Sequence, residues 1–155
     1  MKWQKERVLD APINIVWALF EEEQALRIMP KVVENKWIDK NPEMLGSTYE
    51  QTYREGKQQE SYVVKIVEFE DTVNRKHKRI KFQLANAFEM NLAFTLEKVS
   101  EQQTKFIYSG SNIGINFVGR VMLKLGSGKK GEQVIYNFLD RVEQEAISDH
   151  KSLSR

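Results

Sequence analysis

The chain has no cysteine among its 155 residues, which excludes disulfides, zinc–thiolate sites and thiol catalysis. Histidine is almost as scarce. His77 lies in "NRKHKR", amid charge in an expected turn, and His150 sits at the fraying C-terminal end. Neither accompanies a serine or cysteine nucleophile motif, so histidine catalysis and a transition-metal site are disfavoured and no cofactor is expected. No run of about 18 apolar residues occurs, and "MKWQKERVLDAP" has no signal-peptide character. A cytoplasmic protein without stable membrane insertion is the plain expectation. Strong charge of one sign is also missing. The formal net charge of +2 gives no argument for nucleic acid.

What is present is the composition of an ordinary globular protein, 41% hydrophobic and 30% charged. A chain of this length reads as one domain, residues 1–155, large enough to bury roughly 68–70% of its unfolded surface.

The clearest pattern is "AFEMNLAFTLEKV", Ala87 to Val99. Phe88, Met90, Leu92, Phe94 and Leu96 fall on one side, with Glu89, Asn91, Thr95 and Glu97 on the other. That alternation predicts a strand with one buried and one wet face. Further extended segments are expected at Trp3–Leu9, Val32–Asp39, Thr48–Arg54, Ser61–Phe69, Arg79–Leu84 and Thr104–Ser111. The short turns joining the six from Val32–Asp39 onward, Phe88–Val99 included, favour an antiparallel meander. After the first strand, Asp10 is a candidate N-cap and Pro12 suits the first helical turn. Ile13, Val16, Trp17 and Phe20 then follow helical spacing, which puts Trp17 in the core. The acidic run Glu21 to Glu23 opens a second short helix that Pro30 ends. Near the end, Phe117 to Leu125 suggests a short helix, "GSGKKG" a glycine hinge at Gly126 and Gly128, and Gly131–Ser148 a long amphipathic helix. Ile135, Phe138, Leu139, Val142 and Ala146 form its apolar stripe.

One long helix facing an antiparallel sheet of about seven strands is an α+β arrangement. At this level the chain resembles the polyketide cyclase/dehydrase branch of the START-like (SRPBCC) superfamily. The resemblance is carried by "DAPINIVWALFEEEQAL", "MPKVVE", "LGSTYEQTYREGK", "FEMNLAFTLEKV" and the C-terminal helix. It implies a helix-grip fold: a curved antiparallel sheet wrapped around a long C-terminal helix, with two short helices after the first strand. It also implies an apolar cavity between sheet and helix.

Alternation alone is compatible with a filled core or a cavity wall. On inward-facing strands, Tyr49, Gln51 and Tyr53 would share one face, Tyr62 would lie beside them, and Tyr108 would follow on the last strand. A few polar groups on an apolar wall are what a small-molecule pocket requires. Tyrosines at a sheet rim, with their hydroxyls in water, are the competing explanation. The apolar lining would come from Phe82, Met90, Leu92 and Phe94 on the sheet, Phe117 and Val121 in the short segment, and Ile135, Phe138, Leu139 and Val142 on the long helix. If a cavity lies there, Met90, Leu92 and Phe94 face Phe138 and Val142 across a gap.

Carboxylates offer no acid–base pair. Glu68 comes closest, on the Tyr62 register, and is expected as a solvated edge group. "GSGKKGE" fails the phosphate-loop pattern, and "RKHKRIK" reads as a charged hairpin tip that protects an edge. The leading expectation is therefore binding of a small hydrophobic molecule: a lipid, a polyketide or an aromatic compound. The resemblance keeps a cyclase/dehydratase-like enzyme as the alternative. It also keeps a protein-interaction module, related to chaperone activators, with a protein partner.

Overall fold

A computed structural model describes residues 1–115 and 129–153. The expected Phe117–Leu125 helix and the hinge at Gly126 and Gly128 lie outside the described residues, as do Phe117 and Val121. Seven strands form one antiparallel sheet: β1 (Lys2–Leu9), β2 (Val32–Asp39), β3 (Thr48–Glu55), β4 (Gln58–Asp71), β5 (Arg75–Leu84), β6 (Phe88–Ser100) and β7 (Gln103–Gly114). Their spatial order is β1-β7-β6-β5-β4-β3-β2. Strands β2 to β7 are thus a meander, and β1 returns to pair with β7. Two short helices, α1 (Ile13–Ala18) and α2 (Ala25–Ile28), join β1 to β2, with a 3₁₀ turn at Glu22–Gln24 between them. The long helix α3 (Lys129–Leu153) lies on the concave face of the sheet. This is the helix-grip α+β architecture. No helix among the described residues is long and apolar enough to cross a membrane.

Helix α3 buries the expected stripe: Ile135, Leu139, Val142 and Ala146 are all buried, and Phe138 partly so. It runs from Lys129 to Leu153, past the expected Gly131–Ser148, and charge ties it to β1 and, at Asp149, to α2. Arg7 on β1 reaches Asp140 at 2.6 Å, and Arg27 on α2 reaches Asp149 at 2.7 Å. His150 is therefore in an ordered last turn rather than a fraying end.

Local details differ from the sequence expectations in four places. Pro12, in extended conformation, caps α1 without a side-chain bond, while Asp10 accepts from Gln103 Nε2 at 3.0 Å. Trp17 is half-buried rather than core, its ring 5.9 Å from Phe69 at the lip of the sheet. Strand β5 starts at Arg75, so His77 is on a strand, not in a turn. It bonds Thr95 Oγ1 at 2.7 Å and Glu68 at 2.9 Å. Finally, a β-bulge in β4 falls between Ile66 and Glu68. A bulge adds one residue and reverses the facing beyond it. Phe69 therefore turns inward, and Glu68 joins His77 and Arg79 on the convex face.

The early start of β5 has a larger consequence. Lys76 and Lys78 alternate with His77 and so point to the concave side, where both are buried. Lys78 Nζ donates to Glu22 Oε1 at 2.9 Å and to the Phe20 carbonyl, tying the sheet to the connection between α1 and α2.

Candidate ligand-binding site

Strict alternation carries most of the expected lining to the concave face. Register places Gln51 opposite Tyr62, Phe82 opposite Met90, and Phe94 opposite Tyr108. The face has two different ends. At the end covered by α1 and α2, Ile66, Leu96, Phe106, Leu139 and Val142 are fully buried, and the space between sheet and helix is filled. In the middle sits an aromatic nest. Phe94 and Tyr108 stack at 5.7 Å with their planes 4° apart, and the Phe138 ring is 4.6 Å from Tyr108 and 5.9 Å from Phe94. Phe94 and Phe138 therefore touch, and the gap expected between them is closed.

The opposite end is less covered. It gathers the start of β1, β4 and β6 with the close of β3, β5 and β7. Here Trp3, Tyr62, Phe82, Phe88 and Met90 are only partly buried. Pairing between β4 and β5 also stops at Lys65 and Lys81, although both strands continue toward this end. The divergence leaves an open cleft of about 580 Å³ between the strands, lined by Tyr62 and Phe82 but mostly by residues of the outer face such as Ser61, Val63, Lys81 and Gln83. Tyr62 and Phe82 stack across it at 4.8 Å and 12°.

Polar groups on this wall are few. Buried Gln51 accepts the Tyr62 hydroxyl at 2.9 Å. Burial pushes the phenols of Tyr49, Tyr62 and Tyr108 well above their ordinary range, so each is a neutral hydroxyl. Tyr53 is not brought into the group, since its hydroxyl donates to Glu55 at 2.7 Å on an exposed rim. Two further inward residues were missed by the sequence reading. The Trp3 indole Nε1 and the Asn112 carboxamide Oδ1 are fully buried and make no hydrogen bond. The period-2 pattern of "KWQKERVL" and "YSGSN" was the signal that could have placed them inside.

The inward charges Lys78 and Glu22 neutralise each other beneath the Trp17 ring. Among the described residues, no three His, Asp or Glu side chains converge in a way that could hold a metal ion.

No protein-family model matches the sequence, and no curated protein matches it. Solved structures do. A START superfamily protein from Mycobacterium smegmatis superposes with a TM-score of 0.73 at 11% identity, over 95% of this chain and 97% of that one. The Zhui aromatase/cyclase from Streptomyces sp. R1128 gives 0.71 at 10% identity, over 100% and 96% of the two chains. Norcoclaurine synthase from Thalictrum flavum, in complex with dopamine and hydroxybenzaldehyde, gives 0.64 at 9% identity, over 96% and 87%. The fold is accordingly the START-like fold that polyketide aromatase/cyclases share.

Proposed function

We propose that this single-domain, cytoplasmic protein binds a small, largely hydrophobic molecule at the less covered end of its concave face. One observation carries the reading: inward-facing Trp3, Tyr62, Phe82, Phe88 and Met90 stay partly exposed there, while Ile66, Leu96, Phe106, Leu139 and Val142 toward the other end are fully buried. An apolar ligand that removed about 200 Å² of this surface from water would gain about 5 kcal/mol before association costs. Gln51, Tyr62 and Tyr108 would supply neutral hydrogen-bonding groups, and Leu92 and Phe94 the floor. The ligand-binding character of START-like folds supports the reading, as do the neighbours named as cyclases and as a synthase holding aromatic compounds.

Native mass spectrometry of freshly purified protein tests it. A retained lipid or aromatic compound, lost on Met90→Trp, is the expected result. A ligand-free protein that also ignores a hydrophobic probe dye would overturn it.

A further inference from the structure

Along the outer face of β5, basic side chains recur at every second position, and β4 answers most of them with acid. Arg75 meets Glu70 at 2.8 Å, and Glu68 takes both His77 and Arg79 at 2.9 Å. At Lys81 the pattern breaks, because its partner across β4 is Lys65. Side chains directly opposite have Cβ atoms about 4.5–5.5 Å apart, and like charges so placed destabilise a sheet. Both lysines are exposed, and among the described residues neither forms an ion pair. The pairing of β4 with β5 stops at this same pair, and the open cleft begins beside it. Lys81 and exposed Val63 line the outer part of the cleft, with the stacked rings of Tyr62 and Phe82 on its inner side. Two carboxylates also line it. Glu60 accepts the Ala85 N–H at 2.6 Å, and Glu89 stands opposite Gln83, two residues beyond Lys81 along β5.

Two facing ammoniums without a counter-charge stand at an opening that leads to apolar rings. That juxtaposition matches a molecule with one charged end and one apolar end. We propose that the ligand is an anionic amphiphile, such as a long-chain carboxylate, with its head group between Lys65 and Lys81. Its apolar part reaches the Tyr62 and Phe82 rings through the split between β4 and β5. The anion relieves the repulsion between the two ammoniums and accepts a charge-assisted hydrogen bond from each. The chain gains by leaving water against the rings. Charge therefore selects the class of molecule, and the strand divergence sets the direction in which it lies. This class of ligand rests on the proposed hydrophobic site, and the two can fail separately.

The probes are decanoate and decanol, which share a chain and differ in the charge of the head group. Without an anchor for that charge, decanol binds at least as well, since its hydroxyl is easier to take out of water. The expected result, by calorimetric titration at low salt and neutral pH, is decanoate binding at least about tenfold tighter than decanol. Lys65→Gln combined with Lys81→Gln should erase that preference. The double variant should melt no lower than the wild type, because it removes a repulsion and breaks no ion pair. Equal binding of the two probes by the wild type overturns the anionic class and leaves the hydrophobic site standing. A preference that survives in the double variant overturns the lysine pair as its anchor. Binding of neither probe overturns both the anchor and the site. If the double variant fails to fold, salt decides with the wild type alone. Raising it to about 0.5 M should shrink the preference for decanoate through screening, and a preference unmoved by salt overturns the proposal.

Discussion

Lys78 on β5 and Glu22, in the connection between α1 and α2, form an ion pair at 2.9 Å with side chains only 6% and 7% exposed. The pair joins the sheet to the helical connection at the end where the core is filled. Both charges are removed from water, so neither is tolerable without the other. Lys78→Met should destabilise the protein by about 3–5 kcal/mol, since it strands a buried carboxylate. Lys78→Met combined with Glu22→Leu should regain most of that loss. Urea denaturation of the single and double variants checks this, and a single variant as stable as the wild type would sink it.

Gly110 is required by close approach, not by backbone conformation. A Cβ there would meet the Asn91 carbonyl oxygen at 2.5 Å and Trp3 Cζ2 at 2.6 Å. The side chain could give way, but the carbonyl belongs to β6, the neighbouring strand. Gly110→Ala should cost about 2 kcal/mol, and adding Trp3→Ala should not remove that cost. Full rescue by Trp3→Ala, measured by thermal melting, would show that β6 and β7 separate easily.

Glu68 carries a pH dependence. The hydrogen bond from His77 chiefly, and then Arg79, hold its carboxyl below the usual carboxylate range. A lowered folded pKa gives stability that is present above the unfolded value of about 4.3 and is lost as pH falls through the folded value. The side chain is 47% exposed, so solvent screening limits the effect to about 0.5 kcal/mol. Glu68→Gln should be less stable than wild type by that amount near pH ~6, with the gap closing toward pH ~3. A gap that stays constant through this range would mean the ion pairs contribute nothing.

The sequence made the strands legible because each apolar residue alternates with a polar one, as in Phe88 to Leu96. The stripe on α3 was legible for the same reason at a different period. The bulge after Ile66 was not, because a bulge leaves the local alternation intact on either side and shows only against the partner strand. Lys76 and Lys78 read as solvated charge, since nothing local reveals that Glu22 and the Phe20 carbonyl lie across from Lys78. For the candidate site, side-chain type identified the aromatic wall, but which part is filled depended on where α1 and α2 settle. Tyr53 shows the limit well. Its register is inward, yet Glu55, paired in turn with Lys31, draws its hydroxyl to the rim.

The two ends of the concave face make opposite predictions for added volume. On the sequence alone, a gap beneath Val142 would let Val142→Phe fold normally while excluding ligand. In the structure Val142 has no exposed surface, in a core with Leu139, Ala146 and Leu96. Added bulk there must displace neighbours, so Val142→Phe should now destabilise by about 1–3 kcal/mol. Met90 stands at the other end, partly exposed and opposite Phe82 and Asn112. A larger ring there has room and gains contacts instead of strain. Met90→Phe should leave the melting temperature unchanged or raise it, while weakening uptake of a hydrophobic probe dye. Melting and dye titration of both variants separate the ends. If Val142→Phe were neutral and Met90→Phe destabilising, the open space would lie beneath the helix after all, and the proposed site would be at the wrong end of the sheet.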